Sequence, residues 1–218
     1  MPDQNTDKPT RRRGRPPKHS ARPYDEVRGE LIQAGLAILT EKGYSSVGID
    51  EILRSVGVPK GSFYHYFKSK EEFGQELIRA YGQYFARKLD RFLLDTAFTP
   101  LERIQRFVAD AAEGMARYQF RRGCLIGNLG QEMSLLPESF RAQLQEVFND
   151  WQSRTAACLR EAQTLGEISP NQDAEQLAEW FWTGWEGAVL RAKLEASPGP
   201  LQRFADGFFK ILQARAGR

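Results

Sequence analysis

A run of side chains between residues 60 and 66 concentrates hydrogen-bonding chemistry in one short stretch of the sequence. It combines an ammonium, hydroxyls and an imidazole with a glycine that lets another backbone come close: Lys60, Gly61, Ser62, Tyr64, His65 and Tyr66. Such groups can donate hydrogen bonds to phosphate oxygens and to the edges of bases. Phe63 and Phe67 lie four residues apart, so on a helix both would face inward and leave the polar side chains outside. The pattern favours binding to a nucleic acid.

The elements that must position this run are two short helices joined by a tight turn. The first carries apolar residues at helical spacing: Ile49, Ile52, Leu53 and Val56. Gly57 ends that helix, and Pro59 suits the first position of the next one. We therefore predict a helix-turn-helix, whose second helix has the size of an element that enters the major groove of DNA.

Apolar residues recur at helical spacing along almost all of the remaining chain, and no stretch alternates with the period of a strand. The predicted fold is therefore all-α, with about nine helices. Their predicted bounds are 24–42, 48–57, 59–67, 69–94, 100–118, 124–134, 137–165 and 173–196, with a last helix that ends near residue 214. We divide the chain into a basic arm over 1–23, a helix-turn-helix head over 24–70 and a body over 71–218.

The net positive charge of the protein lies in its N-terminal arm. Residues 1–23 carry a charge of +5, whereas the whole chain sums to +3. Within the arm, Arg13 and Arg15 flank Gly14 in RRRGRPPK, which resembles an AT-hook, an extended segment whose arginines enter the minor groove of A·T-rich DNA. Nonspecific attraction to phosphate and a purely solubilising tail are the alternatives. The arm has no apolar periodicity, so we predict that it is disordered in isolation.

The composition restricts the compartment and the class of protein. The two cysteines, Cys124 and Cys158, are too few and too far apart for a disulfide framework, which favours a reducing compartment. No apolar run reaches the length of a membrane span, and the N-terminus is polar, so we expect a cytoplasmic protein with no membrane partner. The sequence shows no phosphate-binding glycine loop, nucleophile elbow or paired-histidine metal site. We expect no catalytic residue, no metal and no cofactor.

The segment AGLAILTEKGYSSVGIDEILRSVGVPKGSFYHYFKSKEEF, residues 34–73, resembles the N-terminal domain of the TetR (tetracycline repressor) family. The resemblance implies an all-helical homodimer with a DNA-binding head and a body that binds a small molecule. It also assigns roles within the head. The candidates for base contacts are Ser62, His65 and Tyr66, and the candidates for phosphate contacts are Lys60, Tyr64 and Lys70. This chain has Val47 and Gly48 where the family usually begins its second helix with Thr or Ser, so Ser46 would have to replace that phosphate contact.

The body must bind the effector and form the dimer. Large aromatic side chains could wall a cavity and a polar segment could fix the ligand, which gives these candidates: Trp151, Trp180, Arg121, Arg122, Cys124 and Asn128. The C-terminal half resembles the subgroup of the family that includes the acrylate-utilisation regulator, which implies a small unsaturated carboxylate such as acrylate. An anion of this kind needs an arginine, and Arg121 or Arg122 is nearest. The alternative is that the tryptophans belong to the core.

The last two helices are the predicted dimer interface. Small residues give helix eight a smooth strip, and aromatic residues follow on helix nine; the candidates are Gly184, Gly187, Ala188, Arg191, Phe204 and Phe208. An ordinary core within one chain is the alternative. Taken together, the sequence predicts a dimeric repressor that a small molecule releases from double-stranded operator DNA. A transcriptional activator or a ligand-independent DNA-binding protein of the same fold would use the same residues.

Overall fold

A computed structural model of the protein describes residues 22–214. Arg13, Arg15 and nearly all of the predicted arm lie outside this range. Within it the chain forms nine α-helices and no strand, which confirms the all-α prediction. The helices are α1 (Tyr24–Lys42), α2 (Ile49–Ser55), α3 (Phe63–Tyr66), α4 (Lys70–Leu93), α5 (Pro100–Arg117), α6 (Leu125–Gln131), α7 (Ser139–Thr164), α8 (Ala174–Glu195) and α9 (Gly199–Ala214).

Two of the predicted helices are shorter than expected. The second helix of the helix-turn-helix, predicted over 59–67, is a 3-10 turn, Lys60–Ser62, followed by the single turn of α3. We call residues 60–66 the recognition segment. The predicted helix over 124–134 ends at Gln131, and a separate 3-10 turn follows at Met133–Leu135. Gly127 and Gly130 fall within α6, and glycine is among the poorest helix formers, which explains the short helix.

The head is formed by α1, α2 and α3 around an aromatic core. Phe63 and Phe67 are each 2% exposed, and their rings pack on Phe73 at centroid distances of 5.8 and 4.7 Å. Gly57 takes a φ of +67° in the turn between the two short helices, a conformation that disfavours residues with a side chain. The predicted inward orientation of the two phenylalanines is confirmed.

Helix α4 joins the head to the body. Ser69 is its N-cap, and the Oγ atom accepts a hydrogen bond from the backbone amide of Glu72 at 3.0 Å. The helix has 24 residues and is therefore about 36 Å long. One helix thus begins just after α3 and extends through the body.

The body is a helical bundle in which α7 packs on α4, α5 and α8, and α9 packs on α8. Its centre is Trp151, which is fully buried against Phe85 and Trp182 at centroid distances of 4.4 and 4.9 Å. The indole of Trp182 donates a hydrogen bond to the Thr155 hydroxyl at 3.0 Å, so this ring has its polar atom satisfied inside the core. Across the part of the chain that the structure describes, no helix is both long and apolar enough to cross a membrane.

Candidate DNA-binding face and effector cavity

The outer face of α3 presents the predicted polar side chains to solvent. Tyr64 is 72% exposed and His65 is also exposed, while Ser62 is half-buried. Because the two phenylalanines of the same turn are buried, the tyrosine and the histidine are held in an outward orientation. This arrangement suits contact with a groove of DNA. The contacts themselves stay predictions.

Tyr66 lies closer to the protein than the rest of this face. It is half-buried and stacks on Tyr24 of α1 at a centroid distance of 5.2 Å. The Tyr24 hydroxyl also donates a hydrogen bond to the Tyr66 carbonyl at 3.4 Å, and the His65 ring meets Tyr24 edge-on at 5.3 Å. The first helix therefore supports this segment from behind, and Tyr66 packs partly against the protein.

Two of the predicted phosphate ligands already have partners within the protein. The Lys60 ammonium pairs with the Asp50 carboxylate at 2.5 Å, although both side chains are well exposed. The Ser46 hydroxyl donates a hydrogen bond to the Lys42 carbonyl at 2.6 Å. Exposed ion pairs contribute little, so Lys60 could exchange its partner for phosphate at small cost. Gly61 is exposed beside it.

Lys70 has a structural role that its position at the start of α4 does not reveal in the sequence. Its ammonium donates hydrogen bonds to the carbonyls of Val47 and Tyr44 at 2.8 and 3.2 Å and lies over the Tyr44 ring at 4.5 Å. Burial lowers the pKa of the Lys70 ammonium. The side chain thus ties α4 to the loop between α1 and α2, and a phosphate would have to compete with these carbonyls.

A cavity of about 470 Å³ lies between the head and the body. Residues of α1, α4, α5 and α8 line it, together with the loop that precedes α6. Apolar walls come from Phe85, Met115, Trp185 and Val189. A cavity with mostly apolar walls and a few polar groups is typical of a small-molecule site. Because α1 also forms part of the wall, a ligand here would touch the DNA-binding head directly.

Three cationic side chains line this cavity: Arg87, Lys88 and Arg122. The Arg122 guanidinium lies over the Tyr118 ring at 4.1 Å and 4.0 Å from a Glu41 carboxylate oxygen. The Lys88 ammonium pairs with Asp110 at 2.5 Å. Two of the three cations are therefore already neutralised by a partner.

Three further polar side chains line the same cavity, each from a different element: Tyr81 of α4, Cys124 at the N-cap of α6 and Glu186 of α8. The Cys124 thiol sulfur accepts a hydrogen bond from the Gly127 amide at 3.4 Å. Burial raises the pKa of the Glu186 carboxyl to about 7, and burial also raises the pKa values of Tyr81 and Cys124 well above their ordinary range. All three groups therefore hold protons near neutral pH, Glu186 only in part.

The structure brings only two of the six predicted ligand residues to this cavity, Cys124 and Arg122. The other four do not line it, and their role in ligand binding stays a prediction. Trp151 is packed in the core, where Phe85 stands between it and the cavity side of α4. Trp180 lies on another face of α8, against Phe208 at 5.4 Å, and is 40% exposed.

Asn128 and Arg121 are used elsewhere. The Asn128 amide donates hydrogen bonds to the carbonyls of Leu39 and Thr40 at 3.3 and 3.1 Å. Arg121 is exposed and lies 3.8 Å from Glu41. Residues 121–128 are close in sequence, but their polar side chains reach three different places: the cavity, the end of α1 and the surface. The reason is that the loop turns between residues 118 and 124.

Sequence reasoning missed Tyr81 and Glu186. A signal for Glu186 was present, because it follows Trp182 by four residues and precedes Val189 by three, which places a carboxyl on an apolar helix face. An acid on such a face is either paired or functional. Tyr81 carries no comparable signal, since aromatic residues are frequent on the buried side of a long helix.

Helix α6 is fastened to the end of α1. The Glu132 carboxylate accepts hydrogen bonds from the backbone amides of Tyr44 and Ser45 at 3.0 and 2.7 Å. The backbone amide of Gly123 also donates to the Thr40 carbonyl at 3.1 Å. With the two Asn128 bonds, both ends of α6 hold the segment that leads from α1 to α2. We name this set, Gly123, Asn128 and Glu132, the α6 clamp.

The predicted dimer residues divide into two groups. Gly184, Ala188 and Phe208 pack within the chain: a Cβ on Gly184 would come within 2.2 Å of the Phe204 ring, and Ala188 and Phe208 are buried. These residues therefore join α8 to α9 in one protomer, and their part in a contact with the partner stays a prediction. Phe204 is half-buried beside Gly184.

Gly187 and Arg191 do lie on the exposed side of α8. Gly187 lies in a strip of exposed residues in which each is three or four residues from the next: Trp180, Thr183, Gly187, Leu190 and Leu194. Such spacing gives one continuous face along a helix. This strip is a stronger candidate for a contact between protomers than the predicted glycines were.

Comparison with known proteins gives agreement over nearly all of the chain. The sequence model described as "Bacterial regulatory proteins, tetR family" matches residues 31–77, and the one described as "Tetracyclin repressor-like, C-terminal domain" matches residues 100–208. The chain is 58% identical to the transcriptional regulator AcuR of Cereibacter sphaeroides over 197 residues, 90% of this chain and 89% of the relative. It is 33% identical to the HTH-type transcriptional repressor DhaR of Mycobacterium sp. strain GP1, over 85% and 92% of the two chains.

A solved structure agrees as closely. The crystal structure of regulatory protein TetR from Rhodobacter sphaeroides has 59% sequence identity and a TM-score of 0.82, and the match covers 84% of this chain and 96% of that one. The named relatives are transcriptional regulators, and the two family models cover the head and the body in turn. The chain belongs to the TetR family of transcriptional regulators.

Proposed function

We propose that this protein is a homodimeric transcriptional repressor that a small unsaturated carboxylate, with acrylate as the candidate, releases from its operator DNA. The relatives DhaR and AcuR support the repressor class and the subgroup. The cationic and proton-holding groups of the cavity support an anionic or hydrogen-bonding effector. DNA as the partner makes the cytoplasm the expected compartment.

The main support for the proposal is that α4 connects the DNA-binding head with the cavity. Helix α4 begins at Lys70, three residues after the buried Phe67, and contributes Tyr81, Phe85 and Lys88 to the cavity. The distance along the helix from Lys70 to Tyr81 is about 16 Å. A ligand that displaces this helix also displaces the recognition segment attached to its start.

An effector can release DNA only if it binds the DNA-incompetent conformation more tightly than the competent one. In a dimer the two recognition segments must match half-sites about 34–36 Å apart, or a multiple of that distance. A small rotation of α4 in each protomer changes this separation. We place the protomer contact on the exposed strip of α8, supported by Trp180, Leu190 and Leu194.

The test is an electrophoretic mobility-shift assay with the DNA that flanks the gene for this protein. We expect a specific complex that acrylate dissociates in a concentration-dependent way, whereas its saturated analogue propionate does not at the same concentrations. A complex that survives saturating acrylate would contradict the proposed effector. Failure to bind any flanking DNA while the dimer is intact would contradict the proposed repressor.

A further inference from the structure

The Glu186 carboxyl is the acidic side chain of α8 that lines the effector cavity, where Tyr81 and Cys124 lie near it. Among the described residues its hydrogen-bonding partner is the Cys124 thiol, which is a weak one. One carboxylate oxygen rests against Gly127 of α6, where an added Cβ would come within 1.9 Å of it. Glu186 is half-buried at the cavity wall, so a carboxyl with one weak partner keeps capacity for a further hydrogen bond to a ligand.

The surroundings of Glu186 offer no cation to compensate it. From α4 the Tyr81 hydroxyl faces the group, and from the start of α6 the Cys124 thiol faces it. Lys88 and Arg122 line the same cavity but have Asp110 and Glu41 beside them, and Arg87 is exposed. Helices α1 and α5 contribute no charged side chain to the cavity lining that the structure describes.

We propose that Glu186 binds the carboxylate of the effector by holding a proton between the two carboxyl groups, with Tyr81 and Cys124 as further donors. The inference rests on the proposed function and names the residues that recognise the effector's charged end. It makes the ligand class a small monocarboxylate that binds together with one proton. The apolar walls formed by Phe85 and Trp185 would then receive the hydrocarbon part of the ligand.

Ligand binding through this contact takes up one proton whenever Glu186 is ionised in the free protein. Below pH 7 most free protein already has a protonated Glu186, since burial raises the pKa of that carboxyl to about 7. Above pH 7 the free carboxyl is ionised, and an anionic ligand can bind beside it only if a proton enters from the solvent. Affinity is therefore full below pH 7 and falls as the pH rises through that value, by about tenfold between pH 6 and pH 8.

Isothermal titration calorimetry of the full-length protein with acrylate tests the contact directly. Titrations in phosphate and in Tris, whose ionisation enthalpies differ, give the number of protons taken up per bound ligand. We expect about one proton at pH 8 and almost none at pH 6 for the wild type. Glu186→Gln keeps a donor but cannot ionise, so its binding should take up no proton and should not depend on pH between 6 and 8.

Glu179→Gln is the matched control, because it makes the same change at an exposed position two turns earlier on α8. It should behave as the wild type does. Acrylamide, which lacks the charge, should bind without proton uptake. Binding of acrylate to the wild type without proton uptake at pH 8 would overturn this inference and leave the proposed function intact, as would an intact-mass increase that shows acrylate bonded to Cys124. Absence of both heat and operator release would instead overturn the proposed effector, and this inference with it.

Discussion

Tyr64 is 72% exposed, because Phe63 and Phe67 anchor the same turn on either side of it. An aromatic ring with a hydroxyl can contact both a phosphate and a sugar, and contacts of this kind fix a protein on the duplex. Its ring touches the Phe63 edge at 5.5 Å and otherwise supports little of the core. The residue can therefore be removed without unfolding the head.

We expect Tyr64→Ala to weaken operator binding at least tenfold while the melting temperature changes by no more than about 2 °C, because the side chain is 72% exposed. Mobility shift and circular dichroism measure the two effects. Leu165→Ala, which removes a side chain that is 61% exposed in the body, is the control and should retain operator binding. Wild-type operator affinity in Tyr64→Ala would show that the face is wrongly assigned.

Glu186 affects stability as well as ligand binding. Its pKa is about 7 in the folded protein, above the ordinary value of 4.5, so the folded state binds more protons than the unfolded state between these values. Stability is therefore lost as the pH rises through that window, and the full cost of the buried charge is present above pH 7.

We expect Glu186→Gln to raise the melting temperature by about 3–6 °C at pH 8 and by much less at pH 5, since glutamine stays neutral throughout. Differential scanning calorimetry of both proteins without ligand gives the comparison. An equal shift at the two pH values would mean that Glu186 is charged, or neutral, in both conditions.

At the scale of elements, the α6 clamp offers a direct route between cavity and head. Cys124 of the cavity is the N-cap of α6, and Glu132 just beyond the end of that helix holds the amides of Tyr44 and Ser45. A ligand that shifts Cys124 thus acts on a rigid segment of about two turns. The contact with Thr40 and the loop after α1 carries the displacement to the helix-turn-helix.

We expect Glu132→Ala to reduce the factor by which acrylate weakens operator binding, by about fivefold or more, because typical coupling free energies are about 1–3 kcal/mol. Acrylate affinity, measured without DNA, should change less than the coupling does. The control is Glu138→Ala, which removes an exposed carboxylate that pairs only with the neighbouring Arg141. Unchanged coupling in Glu132→Ala would exclude the clamp as the route and would favour α4 alone.

The same elements show what the sequence could and could not predict. The bounds of α1 and the Ser69 cap of α4 follow from local signals, a glycine after the last turn and a serine before the first. On α8, Trp180 and Trp182 lie about 200° apart around the helix, so they must serve different faces. Both faces are apolar, one toward Trp151 in the core and one exposed, and periodicity alone cannot tell which is which. Tertiary packing decided it.

At the scale of the molecule, the exposed strip on α8 requires a partner surface. Leu194 is 78% exposed and Leu190 is 46% exposed, and both continue the face of Trp180. In a two-fold symmetric contact this strip meets the same helix of the partner, so a charge introduced on it is buried against apolar side chains.

We expect Leu194→Glu to convert the dimer to a monomer at micromolar concentration and to weaken operator binding about tenfold or more, since a carboxylate buried without a cationic partner costs several kcal/mol. Light scattering after size-exclusion chromatography measures the mass. Leu94→Glu, at a similarly exposed leucine where α4 ends, should remain dimeric and is the control. A dimer in Leu194→Glu would place the protomer contact on another surface.

The net positive charge of the molecule lies at one end of the chain. Residues 22–218 sum to −1, so the cationic surplus that attracts DNA lies in residues 1–21, which include Arg13 and Arg15. If these arginines enter a minor groove, Arg13→Ala with Arg15→Ala should weaken binding about tenfold more on an operator with A·T-rich flanks than on one with G·C-rich flanks. Phosphate attraction alone would lower both affinities equally and would reduce the slope of log K against log salt concentration by about 0.9 for each phosphate that is no longer neutralised. Binding isotherms on the two operators at several salt concentrations separate these outcomes, because groove recognition depends on the flanking sequence and charge neutralisation does not.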